Sequence, residues 1–379
     1  MALNSRFSAR LDRRKFLQGI GGSVAASVLS STQVASAAAQ VAPEAINRAG
    51  AGRPLSDHEK MVRIASNSYP IRWIFKTNTD MGDKQTVSQL KSKYGEITML
   101  DFPEFTKKTF PGVYQMDMMS GLFGDMDDSS QFVKGGVDTF WGKPFPIVEF
   151  DPSSPSGKKW LDKMANKLVT TGTLCHHISN NAPRDISDLD TAKRKAGIEV
   201  AKKWLDGAQV LGAKSMRVNC GGPRIAPAPI TGSRGYATND LLEQYLTCCI
   251  ESFKEMADYG AMRGVRLTME NHWGITADPI NIRIIVEEVN HPFCEASPDF
   301  GNWEHKYHVY HGLNALAPYA HTTCHAKFWD RWEEIDVQRN VRIMLNNGFN
   351  GVFALEYEAG PWNGIEGAQH LYQEVLAAL

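Results

Sequence analysis

Four residues in the second half of the chain recur at a spacing that chemistry can use. Glu270 (in Thr268-Met269-Glu270-Asn271-His272), Asp299 (in Ser297-Pro298-Asp299-Phe300-Gly301-Asn302), His325 (in Cys324-His325-Ala326-Lys327) and Glu356 (in Ala354-Leu355-Glu356-Tyr357-Glu358) each follow a short apolar run. Their separations are 29, 26 and 31 residues, each about one strand plus one helix. A lone acid at a strand end is ordinarily a helix cap or a solvated charge, so the equal phase is what singles these out. If the strands lie parallel in one barrel, all four side chains emerge at the same rim and can meet at one point. Three carboxylates and one imidazole form a hard, oxygen-rich donor set. It favours Mn²⁺, Mg²⁺ or Co²⁺ with positions left for a substrate.

Other residues near the same rim are candidates for binding that substrate. Lys327, two after His325, points the same way along an extended chain and could neutralise an oxyanion or hold a hydroxyl, or be a solvated lysine. His272 stands in the same relation to Glu270, with hydrogen bonding to a ligand residue as the alternative. His176 and His177 end the third apolar run, where alternation aims only one inward, and His177 is the candidate. Arg217 and Asn219 close the fourth run and could bind substrate oxygens, with a barrel-wall ion pair as the other reading of the arginine. Asn302 follows Asp299 by three. Trp303, Trp329 and Trp362 follow three successive strand ends and could stack on the ring of a ligand, or belong to the core.

These residues need a scaffold, and the chain supplies an alternation of strand-like and helix-like segments from Val62 onward. Strands are expected at Val62–Ser66, Gly112–Met118, Leu168–His176, Ser215–Val218, Val265–Met269, Phe293–Ser297, His321–Cys324 and Gly351–Leu355. Between them, Ile198, Ala201, Leu205 and Ala208, and again Leu242, Leu246, Cys249, Phe253 and Met256, recur at helical spacing, with Thr238-Asn239 as an N-cap for the second run. Eight strands separated by helices predict an α/β fold, a single-domain (β/α)8 TIM barrel over residues 61–379. Residues 119–160 break the rhythm. They are rich in Gly, Asp, Ser and Pro and carry Phe123, Phe132, Phe140, Trp141 and Phe145, which predicts a long inserted loop after strand 2 that either covers a ligand or packs on the barrel wall.

The composition is that of a folded globular chain: of 379 residues, 42% are hydrophobic and 22% charged, which excludes a disordered or coiled-coil protein. The formal charge of −1 is a sum of unlike parts. Residues 1–39 carry Arg6, Arg10, Arg13, Arg14 and Lys15 against Asp12 alone, so this segment is +4 and the remainder −5. An acidic body without a basic run argues against a nucleic-acid partner. The basic head, a weakly apolar stretch through Leu29 and the small residues Ala35 to Ala39 have the layout of a cleaved export signal. Arg13-Arg14 followed by Lys15-Phe16-Leu17 resembles the twin-arginine signal, which implies passage through the twin-arginine translocase as a folded protein and a periplasmic location. Residues 40–60 read as a linker. No cysteine precedes Cys175 to carry a lipid, no stretch is apolar enough to span a bilayer, and the six cysteines read as buried small hydrophobes rather than bridges.

Residues 61–379 resemble the xylose-isomerase-like barrels, a superfamily of sugar isomerases and epimerases that extends to abasic-site endonucleases. The likeness rests on Glu270-Asn271-His272, Asp299-x-Gly301-Asn302, His325-x-Lys327 and Glu356-Tyr357 closing strands 5 to 8. It implies one divalent metal, Mn²⁺ before Mg²⁺, Co²⁺ or Zn²⁺, held by Glu270, Asp299, His325 and Glu356, with the two glutamates doubling as the acid/base pair. Where epimerases of the family commonly place a His, three residues beyond the Asp, this chain has Asn302. The expected activity is proton abstraction next to a carbonyl of an unphosphorylated sugar through an enediolate, giving isomerisation or epimerisation. The alternatives are β-elimination from a keto-glycoside, a non-catalytic sugar-binding barrel, and an endonuclease, which the acidic body disfavours. A homo-oligomer is compatible with all of these.

Overall fold

The computed structural model describes residues 55–77, 83–140, 143–222, 240–332 and 335–379. The export signal, most of the linker and the Thr238-Asn239 cap lie outside the described residues. The strands are β1 Ile64–Asn67, β2 Gln115–Met119, β3 Phe132–Phe140, β4 Lys143–Phe150, β5 Leu174–Ser179, β6 Ser215–Arg217, β7 Arg266–Met269, β8 Cys294–Ala296, β9 Thr323–Trp329 and β10 Val352–Ala359. All but β3 and β4 form one parallel sheet in the order β8-β7-β6-β5-β2-β1-β10-β9. A parallel bridge between Asp299 and His325 joins its two ends. His325 donates its N–H to Pro298 O at 2.9 Å, and Phe300 donates to His325 O at 3.1 Å. The sheet is thereby closed into a (β/α)8 barrel whose seam runs through two of the four singled-out residues.

The helices are α1 Asp57–Met61, α2 Lys84–Tyr94, α3 Phe102–Thr109, α4 Pro155–Thr171, α5 Thr191–Val210, α6 Asp240–Arg263, α7 Pro279–Val289, α8 His308–Leu316, α9 Val337–Asn346 and α10 Gly364–Ala378. Ser154, Asp190, Asp278, Asp336 and Asn363 cap the first turns of α4, α5, α7, α9 and α10 through side-chain oxygens, which satisfies N–H groups that a helix cannot bond internally. The last residues of the expected linker are ordered as α1, where Ser56 and Glu59 exchange reciprocal capping bonds.

Strand alternation divides the barrel into two layers. Met116, Met118, Ile178, Met216, Leu267, Phe353 and Leu355 belong to the core shared with the helices. The opposite parity carries Asn67, Asp117, His177, Arg217, Thr268, His325 and Glu356, all buried. Ala65, Val352 and Ala354 form a separate small apolar group, so the inner layer is apolar at one level and polar above it. Two local departures follow from backbone detail. The strand expected at Leu168–His176 begins later, because Trp160, Leu161, Met164 and Leu168 are one buried face of α4, which Gly172 terminates in the left-handed conformation (φ 66°). The pairing of β2 with β5 then skips His176, passing from Met116↔Cys175 to Asp117↔His177. That bulge breaks the expected alternation: His176 Nε2 lies 3.1 Å from Thr322 O, while His177 is wholly buried beside Ser215.

The inserted stretch is an antiparallel hairpin, β3 with β4, rather than a plain loop. Phe123 and Phe150 pack against Trp160 of α4 and Trp204 of α5 with ring centroids 5.1–5.9 Å apart. These aromatics therefore belong to the barrel wall. Trp141 and the side chains of Phe140 and Phe145 lie outside the described residues. Five cysteines are buried, Cys248 is half-buried, and none forms a disulfide. No helix among the described residues is long and apolar enough to cross a membrane.

Candidate active site

The four strand-end residues converge. Glu270, Asp299 and His325 bring ligand atoms within 4.8 Å of one another. His325 Nδ1 is the common point: it lies 3.3 Å from Glu270 Oε2, 3.6 Å from Glu356 Oε2 and 3.9 Å from Asp299 Oδ2. All four side chains are buried. The Asp299 carboxylate is fixed through Oδ1, which accepts the N–H groups of Gly301 (2.6 Å) and Asn302 (2.8 Å). Its Oδ2 and His325 Nδ1 make no hydrogen bond although both are buried. Unpaired buried polar atoms cost free energy, so two of them aimed into one pocket of carboxylates mark a place for a cation.

Each glutamate is held by a different cation. Arg217 of β6 forms an ion pair with Glu270 Oε2 at 2.5 Å, and Asn302 donates to Glu270 Oε1 at 2.7 Å. Lys327 of β9 donates to Glu356 Oε1 at 2.8 Å and lies 3.1 Å from Glu358 and 3.6 Å from Asp299. Asn67 of β1 donates to Glu356 Oε2 at 3.3 Å. Burial would raise the Glu270 carboxyl, but Arg217 and then His325 outweigh it and hold it well below the usual carboxylate range. Burial pushes the Asp299 carboxyl up to about 7, against the pull of Lys327 and with the added repulsion of Glu356 and Glu270. Burial also opposes charge on His325 and Lys327. Glu270 and Glu356 nonetheless raise the imidazole, and Asp299 and Glu356 the ammonium, well above their ordinary values. A proton on His325 thus stands in for the positive charge a divalent ion would provide, and its release on metal binding would free the Nδ1 lone pair. Donor set, unpartnered polar atoms and charge together fit one hard divalent cation held by Glu270, Asp299, His325 and Glu356.

The remaining candidates divide by position. Lys327 and Asn302 are at the cluster, tied to the two glutamates. Arg217 is also there, but its guanidinium is committed to Glu270, Asn180 O and Asn181 Oδ1. Asn219 donates to the carbonyls of Asn180 and Asn181. His272 is exposed beside the cluster. His177 lies beneath it, its Nδ1 2.8 Å from Ser215 Oγ, and burial lowers its imidazole to about 3. Trp303 is a correction: it is buried, its indole donates to Phe300 O at 2.9 Å, and its ring lies against Gly312, so no face remains for a sugar. Trp329 is half-buried near Lys327, and Trp362 is stacked on His370 at 4.3 Å.

Sequence reading missed Asp117, Asn67, Ser179, Tyr69 and Glu358. Asp117 sits between methionines in Gln115-Met116-Asp117-Met118-Met119, an acid inside an apolar strand, which was a usable signal. Tyr69 donates to Glu358 at 2.8 Å and so extends the charged network outward from Lys327.

A family model described as the xylose isomerase-like TIM barrel matches residues 135–378. The chain belongs to that family. Among solved members of this barrel fold, 3-keto-D-glucoside 4-epimerase YcjR from E. coli superposes with a TM-score of 0.52 at 10% identity, over 83% of this chain and 98% of that one. A xylose isomerase-like TIM barrel protein from Mycobacterium smegmatis, in complex with magnesium, gives 0.51 at 15% identity over 84% and 98%. An L-ribulose 3-epimerase gives 0.51 at 13% identity over 82% and 92%. At such identities these likenesses establish the fold. A search of curated proteins finds no match.

Proposed function

We propose that this xylose isomerase-like barrel is a divalent-metal-dependent isomerase or epimerase that moves a proton next to the carbonyl of an unphosphorylated sugar or sugar derivative. The observation that carries the reading is the convergence of Glu270, Asp299, His325 and Glu356 with Asp299 Oδ2 and His325 Nδ1 left without a hydrogen-bond partner. The ion, Mn²⁺ by the donor set, would act as a Lewis acid that acidifies the C–H beside the sugar carbonyl. Glu270 and Glu356 stand three strands apart around the barrel, so one can take the proton and the other return it from another side. Arg217 and Asn302 hold both oxygens of Glu270, which keeps it ionised and oriented as a base. Lys327, donating to Glu356, is placed to balance negative charge that builds on the enediolate. The epimerase names among the structural neighbours agree with a carbohydrate substrate. The Arg13-Arg14 leader supports export by the twin-arginine route, and with it a substrate met outside the cytoplasm, where phosphorylated sugars are scarce.

A second reading is favoured by Asn302. Its amide is tied to Glu270 where family epimerases commonly place a histidine, so the base is kept while that substrate contact is altered. On a keto-glycoside the same base would take the proton next to the ketone. The C–O bond β to it would then break, leaving an enone and a protonated leaving group.

Manganese-loaded protein incubated in D₂O with free ketoses and with keto-glycosides decides between them. Isomerisation or epimerisation returns product of the same skeleton carrying solvent deuterium, and elimination releases the aglycone. An isomerised or epimerised product without deuterium refutes proton transfer through solvent-exchanging glutamates. Ligand binding by calorimetry with no product from any substrate leaves a binding barrel.

A further inference from the structure

Beside His325 the barrel interior holds a carboxylate that the proposed reaction does not touch. Asp117 of β2 is wholly buried, and its Oδ2 lies 2.9 Å from His325 Nε2. Asn67 Nδ2 and Ser179 Oγ also donate to Oδ2, each at 3.0 Å, and the Ser179 N–H donates to Oδ1 at 3.2 Å. An ionised carboxylate only accepts hydrogen bonds, so His325 must present an N–H at Nε2. A neutral imidazole has one N–H, and the tautomer follows from this network. The bare lone pair is then at Nδ1, the atom facing Glu270, Glu356 and Asp299. A ring turned over would offer a carbon to that pocket instead.

We propose that Asp117 is a positioning residue that fixes both the ring orientation and the tautomer of His325, so that Nδ1 is offered to the divalent ion. Ser179 and Asn67 hold the carboxylate for that task. The inference rests on the metal reading above. A second cation among Asp117, His177 and His325, whose ligand atoms also lie within 4.8 Å of one another, is the competing use of this aspartate. Four donors already occupy about four lone-pair sites of the carboxylate. Three of them crowd Oδ2 and one reaches Oδ1, so the oxygen that meets His325 has no lone pair left for an ion.

Full-length protein stripped by chelator and titrated with Mn²⁺ by calorimetry tests this, with Asp117→Asn, Ser179→Ala and, as a control for fold loosening away from the ligands, Gly207→Ala of α5, whose added methyl meets Pro152 and Leu161. Asp117→Asn should weaken Mn²⁺ binding by about 10–100-fold, the usual effect of altering a hydrogen-bond partner of a metal-ligating histidine. Ser179→Ala should weaken it less, and Gly207→Ala should leave it unchanged. The visible Co²⁺ spectrum should shift in Asp117→Asn and not in Gly207→Ala. If Asp117→Asn fails to fold, Ser179→Ala carries the comparison. Unchanged affinity and spectrum in both Asp117→Asn and Ser179→Ala overturn the proposal. So does a wild-type stoichiometry of two ions per chain that falls to one in Asp117→Asn, which would make Asp117 a ligand. A wild type that binds no Mn²⁺, Mg²⁺ or Co²⁺ defeats the metal reading itself, before any variant is compared.

Discussion

Glu295 offers a test of the barrel's electrostatics away from the reacting groups. It lies on β8, and its side chain is wholly buried. One oxygen accepts the N–H and hydroxyl of Thr322, while Arg266 approaches the other only to 3.5 Å. Burial raises its carboxyl, and the bonds from Thr322 and the charge of Arg266 offset that in part, leaving it at about 7 against 4.5 in the unfolded chain. Between these values the native state holds a proton that the unfolded state has lost. The stabilisation from the neutral acid is fully present below pH 4.5 and is lost as pH rises through 7. Two and a half pH units correspond to about 3 kcal/mol. Glu295→Gln keeps the shape and cannot ionise. Urea denaturation of both proteins from pH 4.5 to 8 should therefore show the variant gaining about 3 kcal/mol on the wild type across that range, other titrating groups cancelling in the difference. A stability difference that stays flat with pH would refute the claim that this carboxyl is buried without adequate charge compensation.

Two substitutions probe the packing and the charge network. Gly312→Ala sets a methyl group against the buried ring of Trp303; overpacking of about 1–3 kcal/mol should outweigh the roughly 1 kcal/mol that alanine gains in a helix, and a melting temperature equal to or above that of the wild type would place Trp303 outside the core. Lys327→Met removes the cation shared by Glu356, Glu358 and Asp299. The metal-free variant should lose about 3–5 kcal/mol, the usual result of leaving buried charge unpaired. Added Mn²⁺ should narrow the deficit, and equal deficits with and without Mn²⁺ would separate Lys327 from the metal site.

Much of the site was legible because its four strand-end residues obey a local rule repeated four times. Each follows an apolar run, and a parallel barrel turns equal phase along the chain into proximity at one rim. His177, Arg217 and Asn302 were legible as residue types, but their neighbours were not. Arg217 serves Glu270 because β6 and β7 are adjacent and in register, which its own flanking residues do not encode. The third strand was misplaced because Leu168 is as apolar as a strand residue while completing a helical face with Trp160 and Met164. Strict alternation failed at His176, because one skipped residue in the β2–β5 pairing changes the parity of everything before it.

The sequence by itself determined the barrel and its four-residue cluster, since periodic burial and strand-end spacing are properties of short segments. Only the tertiary structure decided what surrounds that cluster. Asp117 meets His325 across 208 residues of chain, the ends of the sheet are sewn together at Asp299 and His325, and Trp303 turns away from the site into the helix layer. Those contacts exist because the sheet closes on itself, and closure brings together side chains whose local sequences carry no information about one another.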